Sequence, residues 1–508
     1  MRLAPGNWQL LDDSTDRYPG ISLLRAQREL LAGKSPKQQV VVAVIDGGVD
    51  TAHAALRTRL WKNAKEIAGN GKDDDRNGHV DDVHGWNFIG GADGKDVRYD
   101  TFELTRMFAR CSGAPQTVTT RAMPAPDSAT CSKVSADYAK KKAETNSTLD
   151  QMRSIAALMD RAVPILKQAA GTDSLTPERV AALPATTPQV VAARSLYMGL
   201  AQQGATPAAL AEAVIEYGVQ SQYGLNTAYD PRDIVGDDYA NTSQRSYGNA
   251  DVTGPDAKHG THVAGIIAAV LQDSVGMGGI ASGALVMPVR AVPDGDERDK
   301  DIANAIRYAV DNGARVINMS FGKAYSPFKG AVDSAVKYAD AHGVLMVVAS
   351  GNDGASLDTA SNFPTPYYTG GGRAANWIEV GASSWRGGDT LAVSFSNYSH
   401  DKVDVFAPGE DILSAVPGGG YERMSGTSMA APVVTGLAAL IMSYYPDLTV
   451  AQVRQIILDS ATRYNRPALA PGERSQGTVP FTSLSVTGGI VNAYNALRLA
   501  QDRSAATH

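Results

Sequence analysis

The chain has 508 residues, of which 43% are hydrophobic and 20% are charged, a balance typical of a globular protein with a substantial buried core. Since single cores usually stop growing at about 250 to 300 residues, we expect one large domain with a second unit inserted or appended. The formal net charge of −6 offers no basic field for a phosphate backbone, so we expect no nucleic-acid partner. The longest apolar stretch, 433–442, is interrupted by Thr435 and Gly436 and is too short to span a membrane, so no membrane insertion is expected.

Short runs of β-branched residues alternate with amphipathic stretches, which predicts parallel strands joined by helices and an α/β fold. The predicted strands cover 40–45, 285–289, 316–319, 344–349, 378–381 and 403–407. The predicted helices include 301–312, 332–342 and one that opens with a capping box of Thr449 and Gln452.

Between 135 and 223 this alternation fails. The sequence becomes rich in alanine, with apolar residues such as Ile155 and Leu158 at helical spacing. Thr176 and Thr206 each precede a proline, the order of a cap and a first helical residue. We therefore expect a helical insertion, which divides the chain into 1–134, 135–223 and 224–508.

Cys111 and Cys131 are the only cysteines, and neither lies near a Cys/His cluster of the kind that binds zinc. We expect them to form a disulfide, with two free thiols as the alternative.

Three segments carry residues that suit nucleophilic catalysis: Val-Ile-Asp46-Gly-Gly, His259-Gly-Thr-His-Val-Ala-Gly and Gly-Thr-Ser428-Met-Ala-Ala-Pro. Asp46 follows an apolar strand, the position at which open parallel sheets build their sites. His259 and Ser428 each open an apolar helix, where free N–H groups favour a developing negative charge. Taken singly, an aspartate after a strand is more often a turn or a helix cap, and a lone Gly-Thr-Ser is usually just a cap. The histidine segment could instead provide a pair of metal ligands or a packed His262.

In chain order, these segments resemble the Asp, His and Ser motifs of the subtilases, the subtilisin-like serine peptidases. A fourth segment, 347–352, resembles the strand that ends in that family's oxyanion-hole asparagine, here Asn352. The resemblance covers about 8–499 apart from the insertion. It implies a subtilisin-like parallel sheet flanked by helices, with Asp46, His259 and Ser428 as a catalytic triad. The implied activity is hydrolysis of protein or peptide substrates through an acyl-enzyme intermediate.

The segment 318–322 resembles the family's substrate-binding strand, which pairs with an extended peptide. The resemblance implies that two short segments form the walls of the primary specificity pocket. Their residues are Ser320, Phe321 and Gly322 on one side and Ala349, Ser350 and Gly351 on the other.

An acidic loop at 73–82 has oxygen-bearing residues at alternate positions and glycine at the sixth, like the first half of an EF-hand. The closing glutamate is absent, and the resemblance to subtilases implies that Asp81 or Asp82 closes the shell instead. We expect structural calcium, with a solvated acidic turn as the alternative. The expected ligands are Asp73, Asp75, Asn77, the His79 carbonyl and Asp82.

Two rival hypotheses remain open on the sequence alone. One is a catalytically inactive subtilase scaffold that binds a partner, for instance through the insertion. The other is a metallohydrolase that uses Asp46, His259 and His262, although His-x-x-His spreads its rings further than the metal motif His-x-x-x-His.

The sequence also suggests where the protein works. No signal-peptide hydrophobic run follows Met1, so the protein is either cytosolic or a mature form with a supplied methionine. The resemblance favours a secreted or periplasmic location. We expect the insertion, which enters between Asp46 and His259, to contact and narrow its own active-site cleft. A peripheral decoration is the alternative.

Overall fold

The structure, a computed structural model, describes residues 4–184, 186–202, 204–271, 275–281, 283–472 and 477–506. Its helices are α1 (Asp13–Asp16), α2 (Leu23–Glu29), α3 (Glu103–Ser112), α4 (Val118–Ala122), α5 (Ser128–Ala170), α6 (Pro177–Ala181), α7 (Pro188–Gln202), α8 (Pro207–Val219), α9 (Arg232–Val235), α10 (Lys258–Ala268), α11 (Asp299–Asp311), α12 (Lys329–Ala341), α13 (Thr427–Tyr444), α14 (Val450–Asp459) and α15 (Ala493–Ala505). Its strands are β1 (Val41–Asp46), β2 (Trp86–Asn87), β3 (Leu285–Arg290), β4 (Val316–Met319), β5 (Leu345–Ala349), β6 (Trp377–Ser383), β7 (Val405–Pro408), β8 (Ile412–Val416), β9 (Gly420–Met424), β10 (Thr462–Arg463), β11 (Pro467–Leu469), β12 (Thr478–Pro480) and β13 (Gly489–Ile490).

Nine strands of the described chain form one sheet in the order β10-β13-β7-β6-β5-β4-β1-β3-β2. Each pairing within it is parallel except that of β10 with β13. The strands predicted from sequence appear as β1 and β3 to β7, so the α/β class and the parallel sheet are confirmed. Since β1 pairs with β4 and β4 with β5, the residues that follow these three strands meet at one edge of the sheet.

Helices cover both faces of the sheet, and β1 shows how the sequence separates them. Val42 and Val44 belong to the core cluster that includes α10 and α13, whereas Ala43 and Ile45 belong to the cluster that includes α11 and α12. By length and composition, α13 could cross a membrane, but 89% of that segment is buried inside the protein. It is the central helix of the first cluster.

The chain divides into two compact units. We call the first the sheet unit, which comprises Met1–Arg98, Ala122–Pro124 and Pro231–His508. We call the second the helical unit, which comprises Tyr99–Arg121 and Ala125–Asp230.

The helical unit is organised around α5, which is 43 residues long and packs against α3, α7 and α8. Asp127 caps this helix by accepting a hydrogen bond from the Thr130 amide at 2.7 Å. The expected insertion, 135–223, therefore begins inside α5 and ends before the limit of the unit. A disulfide between Cys111 and Cys131 joins the end of α3 to the start of α5.

Candidate active site

Asp46 and His259 meet at the carboxyl edge of the sheet. Asp46 is the last residue of β1, and His259 is the second residue of α10. The Nδ1 atom of His259 lies 2.9 Å from each carboxylate oxygen of Asp46. Asp46 is buried, whereas the His259 side chain is 38% exposed. The His259 side chain lines a cleft of about 350 Å³. The ring is therefore anchored on one side and open on the other.

The carboxylate also changes the acidity of the ring. Burial disfavours the charged imidazole, but the negative charge of Asp46 and its hydrogen bond outweigh that effect and raise the pKa of His259 above its ordinary value. Asp46 thus stabilises the protonated form that a general base acquires during a reaction.

Ser428 is the second residue of α13 and is held against the end of β4. Its hydroxyl donates to the carbonyl oxygen of Ser320 at 3.0 Å, and the Ser320 hydroxyl donates to the carbonyl oxygen of Ser428 at 2.9 Å. This reciprocal pair fixes the first turn of α13, where backbone N–H groups have no acceptor within the helix.

Asn352 has an amide group with a defined orientation. Its Oδ1 atom accepts from the Thr427 amide at 2.8 Å and from the Thr427 hydroxyl at 2.9 Å. Because two donors fix the oxygen, Nδ2 is directed elsewhere. A Cβ atom at Gly426 would lie 3.6 Å from both Nδ2 of Asn352 and the backbone nitrogen of Ser428. Both nitrogen atoms thus lie within 3.6 Å of one point close to the serine.

The segment 320–322, predicted as the first wall of a substrate pocket, directly follows β4. Phe321 packs partly against the core cluster that includes α11 and α12. A Cβ atom at Gly322 would lie 2.3 Å from Oδ1 of Asn362, whose Nδ2 donates to the Ala349 carbonyl at 3.1 Å. Asn362, which sequence analysis did not single out, therefore lies between the two predicted walls.

The second wall follows β5 and is fixed by Asn397, another residue without a sequence signal. The Asn397 amide donates to the Ser350 carbonyl at 2.8 Å, and the Ser350 hydroxyl donates to the Asn397 carbonyl at 3.1 Å. Gly351 has a φ of 97°, and a Cβ atom there would lie 2.4 Å from Nδ2 of Asn397. This turn requires glycine, and it directs the chain toward Asn352.

His262 does not join Asp46 and His259. The ring is buried, and its Nε2 atom lies 3.0 Å from the Ile412 carbonyl and 3.1 Å from the Glu422 carbonyl. Burial lowers the pKa of His262 to about 4, so the ring is neutral and donates to these carbonyl groups. Within the described residues, Asp46, His259 and His262 form no group capable of holding a metal ion.

The acidic loop brings Asp73 and Asp75 together with Glu66. Single oxygen atoms of these three carboxylates lie within 4.8 Å of one another. Oε1 of Glu66 accepts from the amides of Asp74 and Asp75 at 2.9 and 3.1 Å, whereas Oε2 is buried without a hydrogen-bond partner. Glu66 lies outside the EF-hand window, so its part in the cluster had no sequence signal.

Among the remaining predicted ligands, the side chains of Asp82 and Asn77 have protein partners. Asp82 accepts from Asn77 at 2.9 Å and from the Tyr308 hydroxyl at 2.7 Å. Oδ1 of Asn77 accepts from the His79 amide at 2.8 Å. The His79 ring is buried and packs 4.6 Å from the Trp86 ring, between ring centroids. These residues form the polar and aromatic support of the loop.

Comparison with known proteins identifies the family. The model of the subtilase family matches residues 37–478, well over half of the chain. The chain therefore belongs to the subtilase family.

Individual relatives match part of the chain. A thermophilic serine proteinase of Bacillus sp. (strain AK1) is 40% identical over 240 residues, which make up 47% of this chain and 52% of that protein. Subtilisin E of Bacillus subtilis (strain 168) is 39% identical over 210 residues, 41% of this chain and 51% of that protein. The chain thus spans about half the length of these relatives. The solved structure of a protease from Pseudoalteromonas arctica aligns over 97% of both chains, with 19% identity and a TM-score of 0.49.

Proposed function

We propose that the protein is a serine endopeptidase that hydrolyses protein or peptide substrates through an acyl-enzyme intermediate. The observation that carries the proposal is the contact of His259 Nδ1 with both oxygens of Asp46 at 2.9 Å, at the edge of the sheet where the first turn of α13 presents Ser428. Membership of the subtilase family supports the same activity.

The residues divide the chemistry as follows. Ser428 Oγ turns from the Ser320 carbonyl toward Nε2 of His259, transfers its proton there and attacks the scissile carbonyl carbon. Asp46 stabilises the imidazolium, which then gives the proton to the leaving amine. Nδ2 of Asn352 and the backbone N–H of Ser428 hold the oxyanion. Water, deprotonated by His259, releases the acyl group and regenerates the serine.

The two rival hypotheses make different predictions for one assay. We expect hydrolysis of casein to be blocked by a serine-reactive sulfonyl fluoride and unaffected by a zinc chelator. Ser428→Ala should abolish turnover, with Ser425→Ala as a matched control that retains it. An inactive scaffold would cleave nothing, and a metallohydrolase would lose activity with the chelator. Substantial proteolysis by Ser428→Ala would overturn the assignment.

We also propose that the acidic loop binds calcium. Carboxylate oxygens are ligands that calcium prefers, and the buried, unpartnered Oε2 of Glu66 fits a cation that completes its coordination. Glu66, Asp73 and Asp75 are the core of the proposed ligand set, and Asn77, the His79 carbonyl and Asp82 are the further members expected from sequence. Bound calcium would stabilise the fold and take no part in the peptide chemistry.

A secreted or periplasmic location is part of the proposal. The disulfide of Cys111 and Cys131 supports it, because disulfides persist in oxidising compartments. Non-reducing peptide mapping of protein isolated from its natural compartment tests it, and two free thiols there would contradict it.

The role of the insertion 135–223 as a restriction on the cleft stays a prediction. Replacing 135–223 with a Gly/Ser linker should increase cleavage of a large folded substrate relative to that of a short peptide. A variant that folds and cleaves both with unchanged relative efficiency would contradict this role.

A further inference from the structure

The cleft beside His259 contains two carboxylates that the proposed peptide chemistry does not use. The cavity of about 350 Å³ is lined by Asp46, His259 and Ser320, and its wall also includes Asp256 and Asp294. The Asp256 and Asp294 side chains are 40% and 39% exposed, so both are accessible from the cleft.

The guanidinium of Arg98 contacts both carboxylates. Arg98 Nε lies 3.4 Å from Asp294 Oδ2, at the limit of a hydrogen bond, and Arg98 Nη2 lies 3.8 Å from Asp256 Oδ2. The Arg98 side chain is 47% exposed. Its main chain is fixed, since its carbonyl accepts from the Asp294 amide at 2.7 Å. The arginine is thus anchored at its backbone, and its half-exposed head group lies beside both carboxylates in the cleft.

The surroundings of Asp294 disfavour its negative charge. Burial and the neighbouring charge of Asp256 raise the pKa of Asp294, and Arg98 offsets this only in part. A second cation close to the pair would relieve the repulsion between the two acids.

Two other cations that line this cleft are engaged elsewhere. Lys258 Nζ lies 2.7 Å from Glu422. Arg290 is buried, and its Nε donates to the Gly47 carbonyl at 2.8 Å while Nη1 donates to Asn87 at 3.1 Å. These contacts direct both head groups to other partners.

We propose that Asp256 and Asp294 form a subsite for a lysine or arginine side chain of the substrate, at a position close to the scissile bond. Arg98 occupies this subsite in the free protein and yields to the substrate cation. The inference rests on the proposed peptidase function and deepens it by naming a substrate class. An extended peptide bound at 320–322 directs alternate side chains to opposite sides, so one position should carry the preference.

A peptide series tests the subsite. Fluorogenic peptides carry either lysine or norleucine, its uncharged analogue, at each of the positions that flank the scissile bond. We expect kcat/KM to be about tenfold higher with lysine at one position, a difference of about 1.4 kcal/mol. The combined Asp256→Asn and Asp294→Asn substitutions should bring that ratio close to one. Asp401→Asn, which removes a carboxylate that is 83% exposed, serves as the matched control and should leave the ratio unchanged.

Further variants separate the possible failures. Arg98→Ala removes the internal competitor and should raise the lysine preference severalfold; no rise would overturn the role of Arg98. A ratio below twofold at every position, or one that survives the double substitution, would overturn the subsite. If no peptide is cleaved, the peptidase proposal fails. Binding of the same peptide pairs to the Ser428→Ala protein, measured by fluorescence anisotropy, then still decides the subsite.

Discussion

The sheet unit and the helical unit differ in the size of their buried cores. The sheet unit has two large clusters of buried residues, one on each face of the sheet. The helical unit has a smaller cluster formed by α5, α6, α7 and α8, and it leaves Leu158, Val191 and Ile215 exposed by 48%, 44% and 66%. A covalent link between Cys111 and Cys131 supplements that smaller core. The proposed catalytic residues therefore lie in the unit with the larger packed cores, whereas the smaller core of the helical unit is accompanied by a cross-link.

The largest expected effect falls within the sheet unit and concerns chemistry alone. Asn352→Ala removes one proposed oxyanion donor and should lower kcat by about 10² to 10³, with a smaller change in KM. The exposed Asn241 provides a matched control, Asn241→Ala, that should retain activity. Steady-state kinetics give both values. A fall of less than about tenfold in kcat would exclude Asn352 as a principal donor.

The disulfide should stabilise the helical unit and leave the sheet unit unaffected. Substituting both Cys111 and Cys131 by serine opens a loop with a sequence separation of 20 and should destabilise the helical unit by about 3 kcal/mol. Hydrogen exchange measured by mass spectrometry should show lost protection in α5 and unchanged protection in β1, β4 and β5. An equal loss in those strands would mean that the two units unfold together.

Calcium should stabilise the sheet unit, which contains the acidic loop. At a concentration about 100 times its Kd, calcium would stabilise the sheet unit by about 2.7 kcal/mol, because it binds the folded loop. Thermal unfolding should therefore shift upward with calcium and downward with a chelator. Glu66→Gln should reduce the shift, and Asp389→Asn, a change outside the loop, should not. Identical melting temperatures in calcium and chelator would identify the loop as a solvated acidic turn.

The smallest effect concerns the acidity of His259. Since Asp46 raises the pKa of His259 above its ordinary value, the neutral ring needed for catalysis is lost as pH falls through that raised value. The contribution of the His259–Asp46 ion pair to folding stability is fully present below the ordinary histidine pKa of about 6.5. That contribution is lost as pH rises through the raised pKa of His259 in the folded protein. NMR titration of the ring in the Ser428→Ala protein should show this, and adding Asp46→Asn should lower the pKa. An unchanged pKa would exclude Asp46 as its cause.

Sequence pattern was sufficient for the features that depend on local periodicity or on a contiguous motif. The strands before Asp46 and Ser350 follow from runs of buried β-branched residues, and the capping box of Thr449 and Gln452 is present as predicted. Each involves residues that are near neighbours in the chain.

Other features had no such signal, most of them because they depend on contacts between segments that are separated in the sequence. Glu66 joins Asp73 only through the fold of the loop, and Asn362 and Asn397 reach the pocket walls across β5 from later segments. Asp127, the cap of α5, precedes the alanine-rich pattern that suggested an insertion at 135, so the first residues of α5 lie before that pattern. The orientation of Asn352 depends on Thr427, 75 residues further along the chain.

The central claim is that Ser428 is a nucleophile activated by His259 and Asp46. The most direct measurement is the site of covalent modification by a serine-reactive sulfonyl fluoride, mapped by peptide mass spectrometry. We expect one modification per molecule, on Ser428, that is lost in His259→Ala although the serine remains. Modification of another residue, or no modification of the folded protein while it cleaves casein, would contradict it.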